Sequence, residues 1–72
     1  MATQLTLDPN ELRSRRLLAG LTQVALAAKV GVHPVSMARY ETGVINPRPG
    51  TVGRIAKALG VEITDLASVT DA

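Results

Sequence analysis

Apolar residues recur along this chain in short bursts at helical spacing, and glycines punctuate the bursts. Leu12, Leu17 and Leu21 serve a first helix and the turn after it. Leu26, Ala27 and Val30 fall at i, i+1 and i+4 on one face of a second helix. Met37 and Tyr40 mark a third, Val52, Ile55, Ala56 and Leu59 a fourth, and Val61, Ile63 and Leu66 a final turn. Period-two alternation never extends beyond a few residues. LTLD near the start is the only candidate strand, and it reads as an extended arm.

Capping residues sharpen the boundaries. Asp8 suits an N-cap, Pro9 the first helical position, and Glu11 stands three residues after the cap, with Leu7 and Leu12 placed as a hydrophobic staple. This helix is expected to run to about Ala19 and stop at Gly20. Thr22 caps the second helix, which Gly31 ends. Pro34 opens the third, which runs to Glu41 or Thr42 before Gly43. Residues 44–50, with two prolines, read as loop; Thr51 caps a fourth helix stopped by Gly60. A short fifth helix spans about Glu62 to Ala67. The expected architecture is all-α: an arm over residues 1–7, one compact five-helix domain over 8–67, and a frayed tail over 68–72. Helices this short are not stable alone, so they must fold as one unit.

Composition narrows the function. Seventy-two residues allow a single domain. There is no cysteine, His33 is the only histidine, and no metal or cofactor site is expected. Tyr40 is the only aromatic residue, which argues against a stacking platform for single-stranded nucleic acid. No catalytic constellation is present, so an enzyme is not expected, nor is a small-molecule ligand. The longest apolar run, Val24 to Ala28, is far too short to span a bilayer, and the N-terminus lacks the pattern of a secretory signal. The expectation is a cytoplasmic, nucleoid-associated domain.

Charge adds a direction. The formal net charge is only +2, yet all eight cations lie between Leu12 and Lys57 with a single acid, Glu41, among them. The other acids flank this stretch. Such a distribution fits solvated helix faces, as most charge clusters do, and it is also the footprint expected of a polyanion binder.

The pair formed by the second and third helices carries the sharper signal. Ala27 is small enough for another helix to approach closely, Gly31 suits a tight turn with positive φ, and Val32 plugs the corner. Met37 and Tyr40 return the inner face of the third helix to the second. This is the helix-turn-helix arrangement, in which the second helix of the pair is free to enter a major groove. Counted from Gln23, the pattern has Leu26 fourth, Ala27 fifth, Val30 eighth, Gly31 ninth, Val32 tenth, Met37 fifteenth and Tyr40 eighteenth. Together with GLTQ before it, YETGVINP and TVxxIAxALGV after it, and LRxxR in the first helix, it resembles the Cro/phage-repressor (XRE) helix-turn-helix family over residues 12 to 66. The resemblance implies a lambda-repressor-like five-helix domain that binds double-stranded DNA at a pseudo-palindromic operator. It also implies a homodimer, expected here to be weak and strengthened on DNA.

Site residues follow on this basis. Gln23, at the start of the second helix, is expected at a backbone phosphate. The outer face of the third helix presents Pro34, Val35, Ser36, Ala38 and Arg39. Arg39 is the one long donor there, suited to guanine O6 and N7 or else to a phosphate. Val35 suits a thymine methyl group or partial packing on the core, and Ser36 a base or a phosphate. His33 with Pro34 is expected at the helix start beside the backbone, Arg48 at the backbone after the third helix, and Arg13 and Arg15 on the flank. The family pairs the arginine of LRxxR with the glutamate before the closing glycine, here Arg16 and Glu41, a structural role. Two positions depart from the family pattern: His33 replaces a serine or threonine cap, and Val35 a long polar reader. Arg54 and Lys57 read as a solvated face. The leading expectation is a phage- or plasmid-type transcriptional repressor. The alternative is an antitoxin or adaptor module that uses the same fold to bind protein.

Overall fold

The computed structural model describes residues 3–71. Five helices appear in order: α1 (Pro9–Leu18), α2 (Gln23–Val30), α3 (Pro34–Thr42), α4 (Pro49–Leu59) and α5 (Ile63–Leu66). They are framed by two strands, β1 (Thr3–Leu7) and β2 (Ala67–Asp71).

The starts of α1 to α3 follow from their caps. Asp8 accepts from the N–H groups of Asn10 and Glu11, and Thr22 Oγ1 accepts from Ala25 N–H at 3.0 Å. Gly31 closes α2 at φ +80°, a conformation that costs most side chains about 1 kcal/mol or more. Gly43 closes α3 at φ +77°, and a Cβ there would also lie 3.4 Å from Pro9 Cγ, where α1 begins. The fourth helix differs from expectation. It starts at Pro49, with Arg48 rather than Thr51 as its N-cap, because a proline at the first helical position presets φ and has no N–H to satisfy.

The core is built by Leu12, Leu26, Ala27, Val30, Met37, Ile55, Ala56 and Leu66, with Leu7 joining from β1. Val32 and Tyr40 pack against it, partly buried. Leu17 and Ile63 do not take the inward places expected of them; they are 55% and 40% exposed. In α1 the inward position one turn after Leu12 belongs instead to Arg16, which is buried.

The termini depart furthest from the sequence reading. The expected arm and frayed tail are an antiparallel strand pair, Thr3 opposite Asp71 through Leu7 opposite Ala67. Residues 1, 2 and 72 of those segments lie outside the described residues. The ladder continues into the body through Asp8 N–H, which donates to Leu66 C=O at 2.8 Å. On the other edge of β1, the Asn46 side chain stands in for a further strand. Its Oδ1 accepts from Leu7 N–H at 3.0 Å, and its Nδ2 donates to Leu5 C=O at 3.0 Å. The five-helix fold thus carries a small two-stranded sheet that ties its ends together.

Candidate nucleic-acid interface

The corner between α2 and α3 holds the candidate reading helix. Gly31 and Val32 N–H groups both donate to Ala27 C=O, at 2.9 and 3.0 Å, so the turn itself satisfies that carbonyl near the end of α2. Ala27 is fully buried, and Met37 opposite it is too. Arg54 reaches across from α4: its Nε donates to Val30 C=O at 3.1 Å. Arg54 is therefore a bond to the end of α2, not the purely solvated side chain that its helix position suggested. A cation there also complements the negative end of the α2 dipole.

His33 caps α3. Its Nδ1 accepts from Val35 N–H at 3.1 Å. Pro34 follows as the first helical residue. With Met37 buried and Tyr40 half-buried, the opposite side of α3 is left open. Val35 is 49% exposed and outside the core, which leaves its methyl groups free for an apolar contact. Ser36 is half-buried and Arg39 exposed. Arg39 has no salt-bridge or side-chain hydrogen-bond partner among the described residues.

At the other end of α3 lies a buried polar cluster. Arg16 Nε and Nη2 donate to Glu41 Oε2 and Oε1 at 2.6 and 2.9 Å, a two-pronged geometry, and Arg16 Nη1 donates to Leu21 C=O at 2.8 Å. The hydrogen bond to Glu41 raises the Arg16 pKa above the ordinary arginine value and outweighs the opposing effect of burial. Gln23 joins this cluster, its Nε2 donating to Glu41 Oε1 at 3.3 Å. Gln23 is expected at a DNA phosphate and Glu41 in a structural pair; the fold brings the two side chains together.

Arg48 sits at the N-terminus of α4 without a side-chain cap bond. A cation beside the positive end of a helix is unfavourable by itself, and a phosphate would relieve both. Arg13 is exposed on α1. Arg15, by contrast, is held on the acidic flank, 3.4 Å from Glu11 and 3.8 Å from Asp65. Asn46 is the residue that sequence reasoning missed. Its position before Pro47 in the loop was its only signal, and that signal indicates a turn and not a strand partner.

This geometry is that of a helix-turn-helix domain. The family model described as Helix-turn-helix matches residues 12–66, and the chain belongs to that family, in its Cro/phage-repressor (XRE) branch. Among solved structures it is similar to the restriction-modification controller protein C.AhdI from Aeromonas hydrophila, with 28% identity over 79% of this chain and 86% of that one, at a TM-score of 0.77. It is also similar to the DNA-binding domain of the P22 c2 repressor, with 30% identity over 89% and 82% of the two chains and a TM-score of 0.77. A crystal structure of the P22 c2 repressor holds a synthetic operator. The clp gene regulator ClgR from C. glutamicum matches at 28% identity over 79% and 74%, with a TM-score of 0.74. No curated protein sequence matches the chain.

Proposed function

We propose that this chain is a sequence-specific, double-stranded-DNA-binding transcriptional regulator of the repressor type. It would place α3 in the major groove of a pseudo-palindromic operator. The observation that carries the reading is the outer face of α3. A corner fixed by Gly31, Val32 and the His33 cap holds this helix, while Val35, Ser36 and Arg39 face away from the core. Arg39 reads a base edge, Val35 meets a thymine methyl group, and Ser36 bonds a base or phosphate. Gln23, the His33–Pro34 start, Arg48 and Arg13 meet the backbone and set the register. Two copies bind the two half-sites as a dimer that is weak in solution and strengthened on DNA. Occupying the operator excludes polymerase, in the cytoplasm on the nucleoid.

The electrostatic part is tested by measuring affinity for an operator duplex against salt concentration. The expected log–log slope is steep and negative, and Arg48→Ala makes it shallower by about one while weakening all duplexes alike. An absence of duplex binding at low salt would overturn the reading.

A further inference from the structure

The Arg16–Glu41 pair has a third member, and its position suggests more than a structural tie. We infer that Glu41 is a positioning residue for DNA binding: it orients the Gln23 side-chain amide toward a backbone phosphate. This rests on the DNA-binding reading above and deepens it.

Gln23 is the first residue of α2, directly after the Thr22 cap. The first N–H groups of a helix have no intrahelical acceptor, so the start of α2 already favours an anion. A free glutamine side chain there would sample many rotamers and lose that freedom on binding. Glu41 limits the sampling. One amide hydrogen of Gln23 is engaged by Glu41 Oε1, which leaves the second hydrogen on Nε2 for an outside acceptor.

A carboxylate near a phosphate would ordinarily repel it. Here both Glu41 oxygens accept from Arg16 at 2.6 and 2.9 Å, so the negative charge is compensated before the relay reaches Gln23. Arg16 also donates to Leu21 C=O, which fixes the turn leading into the Thr22 cap. One guanidinium on α1 thereby holds the end of α3, the entry to α2 and, through Glu41, the first side chain of α2. The spacing between the reading helix and the phosphate contact is set by this relay.

The test is a double-mutant cycle on operator affinity with thermal melting measured alongside. Glu41→Gln alone leaves Arg16 charged and buried and can unfold the chain, so the cycle uses the pair Arg16→Met with Glu41→Leu. Exchanging a buried ion pair for apolar residues is often neutral or stabilising. In the native background, Gln23→Ala is expected to weaken operator binding by roughly tenfold, the scale of one charge-assisted hydrogen bond. In the paired background, the melting temperature is expected to hold while affinity falls by most of that factor. Gln23→Ala should then cost less than about twofold further, because groups in one network are strongly coupled. The inference is overturned by equal costs of Gln23→Ala in the two backgrounds, or by no cost in the native one; both outcomes leave DNA binding itself intact. Loss of binding in every variant, native chain included, overturns the DNA reading and this inference with it. The free protein supplies an independent reading by NMR. The Gln23 side-chain amide should show a hydrogen protected from exchange that loses its protection in the paired variant, and equal exchange in both would count against the relay.

Discussion

An imidazole nitrogen does at the start of α3 what a hydroxyl oxygen does in the family pattern. Val35 N–H donates to His33 Nδ1 at 3.1 Å, Met37 N–H donates to His33 C=O at 3.1 Å, and Pro34 needs no acceptor at all. His33→Ala should cost about 1 kcal/mol of stability, whereas His33→Asn should restore most of it, as thermal melts would show. A larger effect is expected at Arg16. Arg16→Met alone leaves the Glu41 carboxylate buried and uncompensated, and should destabilise the fold by roughly 3–5 kcal/mol in denaturant titrations. The same residue explains a misassignment in the sequence. LRSRRLL offers Leu17 as the apolar residue closest to helical register, but the inward position is Arg16, because a buried acid on another helix is there to meet it. Apolar spacing in α1 does not reveal this, because the partner lies 25 residues away; the family resemblance did supply the pair.

Among the elements, β1 illustrates how a segment is stabilised from both sides. On one side it pairs with β2, and on the other the Asn46 amide bonds Leu5 and Leu7. A two-stranded ribbon is marginal in water, so these added bonds matter out of proportion to their number. Asn46→Ala should speed exchange of the Leu7 amide and cost about 1–2 kcal/mol, as hydrogen exchange with chemical denaturation would measure. The helices were largely legible because their signals are local: Asp8, Thr22 and Pro34 at starts, Gly31, Gly43 and Gly60 at ends. The strands were not, because their pairing joins the two ends of the chain. No turn sequence connects them, and five residues such as ASVTD carry too little alternation to announce a strand. The start of α4 was misplaced for a different reason. Two prolines in NPRPG both read as loop, although Pro49 also fits the first position of a helix.

At the scale of the whole molecule, acids and cations are sorted. Glu11 and Asp65 bind Arg15 on one flank through exposed pairs that add little stability. Glu41 is consumed by Arg16 and Gln23. Arg13, Arg39 and Arg48 have no salt bridge among the described residues. Charge left unpaired in this way is suited to a polyanion, and in the proposed function the exposed Arg39 on α3 adds the sequence-reading edge. The sorting was visible in the sequence as a basic body with acidic ends, but the consumption of Glu41 and the recruitment of Arg54 to α2 needed the fold.

The most direct measurement selects bound sequences from a random duplex library, using the native chain and Arg39→Ala in parallel. A palindromic consensus is expected for the native chain. The arginine variant should lose preference at one base pair in each half-site, worth about 1–3 kcal/mol, while the rest of the consensus persists. Equal retention of every duplex by the native chain, or an unchanged consensus with Arg39→Ala, would contradict the proposed function.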